Sequence, residues 1–228
     1  MGHNHRNLQG GGARAAVFGV SDGLVSNVAL ILGMAGAHSS ASAVRLAGVA
    51  GLIAGSFSMA AGEYVSMRAQ SELMERELDV ERQAIRHDPE DERRELAGIY
   101  RGRGLDPDMA EELSVKMMAD PELALETHAR EELGINPEET GNPLQAAGSS
   151  FVMFAIGAFI PLLPWLVTSG PQATLWSVAL GAVAALIVGA ALAYFTGRSW
   201  LWSASRQLLI SGIAAGVTYG VGHLIGAG

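Results

Sequence analysis

The chain has 228 residues, of which 49% are hydrophobic, and its formal net charge is −8 at pH 7. Only 17% of the residues are charged, against about 25% in an average soluble domain. This composition argues against a soluble globular protein, and the acidic excess argues against nucleic acid binding. Because cysteine is absent, disulfides, zinc–thiolate sites and thiol redox motifs are excluded.

Five stretches are apolar over about 20 residues, the length that a helix needs to cross the hydrocarbon of a bilayer. In chain order they cover residues 15–37, 46–67, 146–167, 175–195 and 208–225. The sequence therefore predicts an all-α membrane protein with five transmembrane helices. A lipid bilayer is its first expected partner.

The basic residues predict the orientation in the membrane. The segment before the first span, the region between spans two and three, and a loop at 198–206 together hold 14 of the 15 Lys and Arg residues. Only Arg45 falls on the other side. We therefore expect the N-terminus and the region 68–145 to be cytoplasmic, with the C-terminus outside or lumenal. His3 and His5, in the N-terminal tail, are expected to be solvent-exposed.

Acidic residues concentrate in one region, since 22 of the 23 lie between Glu63 and Glu139. The second span is predicted to continue without a break as one helix to His87. Three short helices should follow, each opened by an Asp-Pro pair whose aspartate caps the helix: Asp88, Asp106 and Asp120. The predicted organisation is a tail with spans one and two (1–67), a cytoplasmic acidic helical metal-binding module (68–145, below "the acidic module") and spans three to five (146–228).

One carboxylate lies inside a span, at Asp22 in "VFGVSDGLVSNVALILGMAGA". An aspartate at mid-helix costs about 2.5–3.5 kcal/mol by insertion scales and usually faces a cavity or an ion path. On the antiparallel second span, Met59, Glu63 and Met67 share one helix face and reach a similar depth. Carboxylate and thioether ligands together suit a borderline divalent transition metal. Packing of Met59 and an interfacial position of Glu63 remain the alternatives.

The acidic module contains three pairs of potential ligands at helical spacing, which places both members of a pair on one face. Oxygen and imidazole ligands without thiolate suit Fe²⁺, Mn²⁺, Co²⁺ or Zn²⁺. Acid pairs also arise by chance in any Glu-rich helix, so spacing alone indicates the site only weakly. The pairs are Glu77 with Glu81, Glu92 with Glu95, and His128 with Glu132.

With these residues identified, the sequence resembles the vacuolar iron transporter family, which includes nodulin-like and bacterial members. The most specific segments are "SDGLVSNVALILGMAGA", "SMAAGEYVSM" and the acidic region ending in "REELGI". The resemblance implies a five-span homodimer that exports Fe²⁺ or Mn²⁺ from the cytosol with protons as counter-ion. It also implies roles in the metal path for Asp22 and Met59, and ligand roles in the acidic module for Glu81, Glu92, Glu95 and Glu132.

Two positions depart from the family pattern. The pattern often has an acid three residues after the position of Glu81, where this chain has Ala84. It has methionine, in its plant-type form, where this chain has His128. Imidazole is a good metal ligand, but the loss of one carboxylate predicts that the site binds metal more weakly or holds a different number of ions.

The predicted function is proton-coupled export of Fe²⁺ or Mn²⁺, with the metal as substrate and module ligand and no prosthetic group. The alternative is a membrane-anchored metal buffer or sensor that transports nothing. An enzyme is not predicted, because no nucleophile–base pair or nucleotide loop is visible and "GVSDG" does not fit a nucleophile elbow. Lys116 is the only lysine, against fourteen arginines, which favours a GC-rich bacterial genome and the plasma membrane. A eukaryotic source would indicate the vacuolar membrane.

Overall fold

The computed structural model describes residues 11–134, 136 and 141–227. His3 and His5 lie outside this part of the chain. The described residues form eight α-helices and no strand. The helices are α1 (Gly11–Gly36), α2 (Ala41–His87), α3 (Pro89–Gly102), α4 (Pro107–Met117), α5 (Pro121–Glu131), α6 (Pro143–Val167), α7 (Gly170–Thr196) and α8 (Trp200–Gly226).

The chain divides into two compact units. One unit comprises the chain up to Val65 together with Asn142 onward, and the other comprises Ser66–Gly141. The first unit contains α1, the N-terminal half of α2, α6, α7 and α8. The second contains the remainder of α2 with α3, α4 and α5. Helix α2 is continuous through residues 65 and 66, as expected from the absence of proline and glycine between residues 64 and 87.

Five helices, α1, α2, α6, α7 and α8, are long and apolar enough to cross a membrane. This confirms the prediction of an all-α protein with five candidate spans. The predicted loop at 198–206 is wrong in extent, because α8 begins at Trp200 and only residues 197–199 separate it from α7. Hydropathy falls around Arg206, but no proline or glycine interrupts residues 200–211, so the helix extends beyond its apolar part.

Glycines set the distance between the helices of the first unit. A methyl group on Gly23 of α1 would overlap the carbonyl oxygen of Phe154 on α6, and one on Gly157 would overlap that of Val20. Such contacts are typical of membrane helices that associate through small residues. On α7, the small residues Gly181, Ala185, Gly189 and Ala193 are likewise buried. The glycines of α8 at 212, 216 and 220 differ, since a methyl group on any of them would meet open space.

The short helices of the second unit begin as the Asp-Pro pattern predicts, with one exception. The carboxylate of Asp106 accepts a hydrogen bond from the amide of Asp108, and that of Asp120 accepts from two amides of α5. Asp88 makes no such side-chain bond, so its predicted capping role is wrong. Its ψ of 61° differs from the values of 142° at Asp106 and 127° at Asp120, whose side chains do reach the amides of the first turn.

Candidate metal sites

Four side chains of the second unit form a compact group of potential metal ligands. Each offers one ligand atom, and these atoms all lie within 4.8 Å of one another. Glu81 comes from α2, Glu92 from the first turn of α3 and His128 from α5, and Glu132 is the residue that caps the C-terminus of α5. We call this group, Glu81, Glu92, His128 and Glu132, the carboxylate–imidazole cluster.

Apolar packing between α2 and α5 positions the cluster. Ile85 of α2 packs with Ala124 and Leu125 of α5, and Leu78 packs against the same group. Leu78 and Ile85 flank Glu81 at three and four residues, and the two α5 residues precede His128 by four and three. The helix faces that carry this small core therefore also turn Glu81 and His128 toward each other.

His128 occupies the centre of the cluster, with its side chain fully buried. Its Nδ1 atom lies 3.0 Å from Oε1 of Glu81, 3.4 Å from Oε2 of Glu132 and 3.7 Å from Oε2 of Glu92. The exposed fraction of the carboxylate side chains rises from 9% for Glu81 to 14% for Glu92 and 32% for Glu132. Three carboxylates therefore surround one imidazole nitrogen, and the cluster is most open to water at Glu132.

Burial and mutual repulsion shift the titration of these acids. Burial raises the pKa of Glu81 to about 7; the imidazole of His128 opposes this shift, and the neighbouring acids Glu132, Glu92 and Glu95 add to it. Burial likewise raises the pKa of Glu92, again opposed by His128 and assisted by nearby carboxylates. A divalent cation would neutralise this concentrated negative charge, so the cluster favours cation binding.

Two buried atoms of the cluster, Oε1 of Glu81 and Nε2 of His128, form no hydrogen bond within the described residues. An unpaired buried polar group costs about 1–3 kcal/mol. A cation between the carboxylates would take up the free lone pair of Glu81. The donor set, carboxylate oxygens and an imidazole nitrogen without thiolate, fits the first-row divalent metals Mn²⁺, Fe²⁺, Co²⁺ and Zn²⁺.

The other two predicted ligands of the acidic module lie outside the four-residue group. Glu95 is exposed, yet it is near enough for its charge to raise the pKa of both Glu81 and Glu92. Glu77 is half-buried, one turn before Glu81 on α2. A ligand role for either remains a prediction. Sequence reasoning overlooked Asp88, whose charge also raises the pKa of Glu92, because the Asp-Pro pattern suggested a cap.

The first unit contains a second candidate site, a pocket of about 440 Å³ between α1, α2 and α6. The three predicted residues of the membrane path, Asp22, Met59 and Glu63, all line it, whereas Met67 does not. We call it the membrane pocket. Its remaining lining residues are Phe18, Ser26, Gly51, Gly55, Ser58, Gly62 and Phe154.

Both carboxylates of the membrane pocket have a polar partner that the sequence analysis did not identify. The hydroxyl of Ser26 donates a hydrogen bond to Oδ1 of Asp22 at 3.0 Å, and the guanidinium of Arg14 donates to Oε1 of Glu63, also at 3.0 Å. Helical spacing of four indicates the Ser26–Asp22 pair in retrospect. The Arg14–Glu63 pair joins residues 49 positions apart, so no local pattern predicts it.

The fold and the two sites define a class of protein. It is a helical integral membrane protein with a carboxylate and thioether pocket among its candidate spans. A separate acidic helical unit carries oxygen and nitrogen ligands for a divalent cation.

Comparison with known proteins identifies the family within this class. The sequence model of the VIT family (VIT1) matches residues 13–223, and the chain therefore belongs to the VIT family. A vacuolar iron transporter of Acanthamoeba castellanii is 36% identical to it, over 98% of this chain and 83% of the relative. Vacuolar iron transporter 1 of Arabidopsis thaliana is 33% identical over 90% and 83%, and a vacuolar iron transporter of Centaurea cyanus is 32% identical over 95% and 89%.

Proposed function

We propose that this chain moves Fe²⁺ or Mn²⁺ out of the cytosol across a membrane in exchange for protons. The observation that carries the proposal is the membrane pocket, in which Asp22, Met59 and Glu63 converge from two candidate spans. The names of the relatives, vacuolar iron transporters, support iron as the cargo. The chain thus acts as a transporter and not as an enzyme.

The ligand chemistry of the membrane pocket supports a transition metal. A cation that enters the pocket sheds water, and the carboxylates of Asp22 and Glu63 replace part of the lost hydration. The thioether of Met59 is a soft ligand, which favours Fe²⁺ over the hard cations Na⁺ and Ca²⁺; Mn²⁺ relies more on the carboxylates. A carboxylate binds either a proton or a metal, so proton entry promotes metal release. This competition is the minimal chemistry of an antiporter.

The carboxylate–imidazole cluster would bind metal ions from the cytosol before they enter the membrane pocket. The distribution of basic residues favours a cytoplasmic position for the N-terminus and for the acidic module at 68–145. Glu77 and Glu95 would add carboxylates next to the cluster. A bacterial source would place the protein in the plasma membrane, and a eukaryotic source in the vacuolar membrane.

We further propose that the working form is a homodimer. The apolar windows of α2 and α8 are only 17% and 11% buried within the chain, and of these two helices only α2 lines the membrane pocket, to which it contributes most of the residues. A two-fold seam formed by α1 and α2 of both copies would enclose the pocket and double its ligands. Two-fold dimers are also the commonest protein oligomers.

A second candidate function is a membrane-anchored metal buffer or sensor. The buried ligand atoms of the carboxylate–imidazole cluster favour it, because they support metal binding without any transport. Under this alternative, loss of Asp22 leaves function untouched, whereas loss of Glu92 and Glu132 abolishes it.

The deciding experiment measures Fe²⁺ and Mn²⁺ flux into proteoliposomes under an imposed pH gradient. Wild type is compared with Asp22→Ala, and Glu72→Gln serves as the control because Glu72 is an exposed partner of Arg68 outside the pocket. We expect gradient-dependent flux in wild type and the control, and none in Asp22→Ala. Absence of flux from wild type that still binds metal would overturn the transport proposal in favour of the buffer or sensor.

A further inference from the structure

Asn27 is a buried polar residue of α1 to which the proposed path has so far given no role. It follows Asp22 by five residues, which places it about 7.5 Å further along the helix. Its exposed fraction is 2%. The side-chain amide nitrogen donates a hydrogen bond of 2.6 Å to the carbonyl oxygen of Ala158 on α6. This bond fixes the orientation of the amide, since only the nitrogen can donate.

The other end of the amide has no hydrogen-bond donor. Oδ1 of Asn27 is fully buried and unpaired within the described residues. It faces α2 at Gly51, because a Cβ atom added to Gly51 would lie 2.9 Å from it. Gly51 in turn lines the membrane pocket together with Asp22. The unpaired oxygen therefore lies behind the wall of the pocket that Gly51 forms.

Because Gly51 has no side chain, Oδ1 of Asn27 can be reached from the pocket after only a small movement. Residue 51 covers it with backbone alone, and a small separation of α1 from α2 at this point would expose it to the pocket. An added methyl group would also approach Cδ2 of Leu30 to 2.6 Å, but this is the end of a flexible side chain that can rotate away. The methyl group would also press directly against Oδ1 of Asn27, at 2.9 Å, so alanine at residue 51 would block access to this oxygen.

We propose that Oδ1 of Asn27 is a further metal ligand, which binds the divalent cation after it leaves Asp22. This inference rests on the transport function proposed above. An amide carbonyl oxygen is a hard, neutral ligand that suits Mn²⁺ and Fe²⁺. Because it carries no charge, it holds a cation less tightly than a carboxylate does. Conduction needs such weaker binding beyond the first site, so that the ion can move on.

The test measures Fe²⁺ and Mn²⁺ flux in proteoliposomes for wild type, Asn27→Leu and Gly51→Ala. Asn27→Leu removes the oxygen, whereas Gly51→Ala keeps it and places a methyl group against it. The control is Gly148→Ala, since Gly148 lies outside the pocket and an added methyl group meets nothing within 4 Å. We expect both test variants to lose flux by about tenfold or more, a typical loss for a perturbed metal site, while the control retains it.

The outcomes separate this inference from the function on which it rests. Flux in wild type that is lost in Asp22→Ala but kept in Asn27→Leu and Gly51→Ala would overturn the ligand role and leave Asn27 as a packing contact. No flux in wild type would overturn both. If Asn27→Leu fails to give a monodisperse protein, Gly51→Ala decides: retained flux refutes the inference, and lost flux beside an active Gly148→Ala supports it.

Discussion

The imidazole of His128 faces the carboxylate of Glu81 at 3.0 Å, with both side chains buried between two helices of the acidic unit. The contact joins Oε1 of Glu81 to Nδ1 of His128, and the other ring nitrogen, Nε2, forms no hydrogen bond within the described residues. A buried pair of this kind exchanges protons and cations at the same atoms. The pH and metal responses of the protein should therefore be coupled.

Metal binding by the cluster should weaken as the pH falls below neutrality. The pKa of Glu81 is about 7, so a proton competes with the cation for this carboxylate at lower pH. Calorimetric titration of the full chain with Mn²⁺ at pH 5.5, 6.5 and 7.5, pH values chosen on either side of about 7, would show the decline. The variant Glu81→Gln should bind weakly with a flatter pH profile. Equal affinity of wild type at all three pH values would contradict the prediction.

The stability of the metal-free protein should decrease as the pH rises, whereas its metal affinity increases. The folded pKa of Glu81, about 7, lies above its ordinary value of 4.5, so the folded state holds this proton more tightly than the unfolded state. The resulting stabilisation is complete below pH 4.5 and is lost as the pH rises through 7. Thermal unfolding with chelator at several pH values measures it. Glu81→Gln should remove this part of the pH dependence, and an unchanged slope would refute the assignment.

Removal of the central imidazole should impair the cluster specifically. His128→Ala deletes the only nitrogen ligand and leaves the carboxylates facing one another, and we expect a loss of about tenfold to a hundredfold in Mn²⁺ affinity. The matched control is His87→Ala, since His87 is an exposed histidine at the end of α2. Equal affinity of the two variants in calorimetric titration would show that His128 is not a ligand.

Arg14 should compete with the cargo for Glu63. Its guanidinium lies 3.0 Å from Oε1 of Glu63, whose side chain is only 13% exposed. In Arg14→Gln this carboxylate is free, so we expect a severalfold lower KM for Fe²⁺ in flux assays and a weaker dependence on salt. Arg68→Gln is the control, because its partner Glu72 lies outside the membrane pocket. A KM that rises or stays constant in Arg14→Gln would contradict this role.

The contact at Gly23 should limit stability. An alanine there would overlap the carbonyl oxygen of Phe154, and because the clash is with backbone, α1 and α6 would have to separate. Overpacking of this kind costs about 1–3 kcal/mol. Thermal unfolding in detergent should show a lower midpoint for Gly23→Ala than for Gly148→Ala, whose added methyl group meets nothing within 4 Å. Equal midpoints would mean that the helices adjust without cost.

The parts of the structure that could be predicted are those that follow from local pattern. Hydropathy located the five candidate spans, and helical spacing grouped His128 with Glu132. Contacts between distant residues left no such pattern. Arg14 meets Glu63 and Asn27 meets Ala158 only because helices pack in three dimensions. Asp88 shows that a local pattern can also mislead. The same Asp-Pro motif gives a side-chain cap at Asp106 and Asp120, but not at Asp88, where the backbone conformation differs.

Helices α3, α4 and α5 of the second unit are short, and this affects their stability. Helices α4 and α5 contain 11 residues each, and α3 contains 14, whereas isolated helices shorter than about 12–15 residues are marginal in water. The cluster takes ligands from the short helices α3 and α5 and from the long helix α2, so a bound cation joins two segments of little intrinsic order to a long helix. Because the cation binds only the ordered form of these segments, a higher free metal concentration should make their local unfolding rarer. Amide hydrogen exchange in α5 would thus report the availability of metal around the protein.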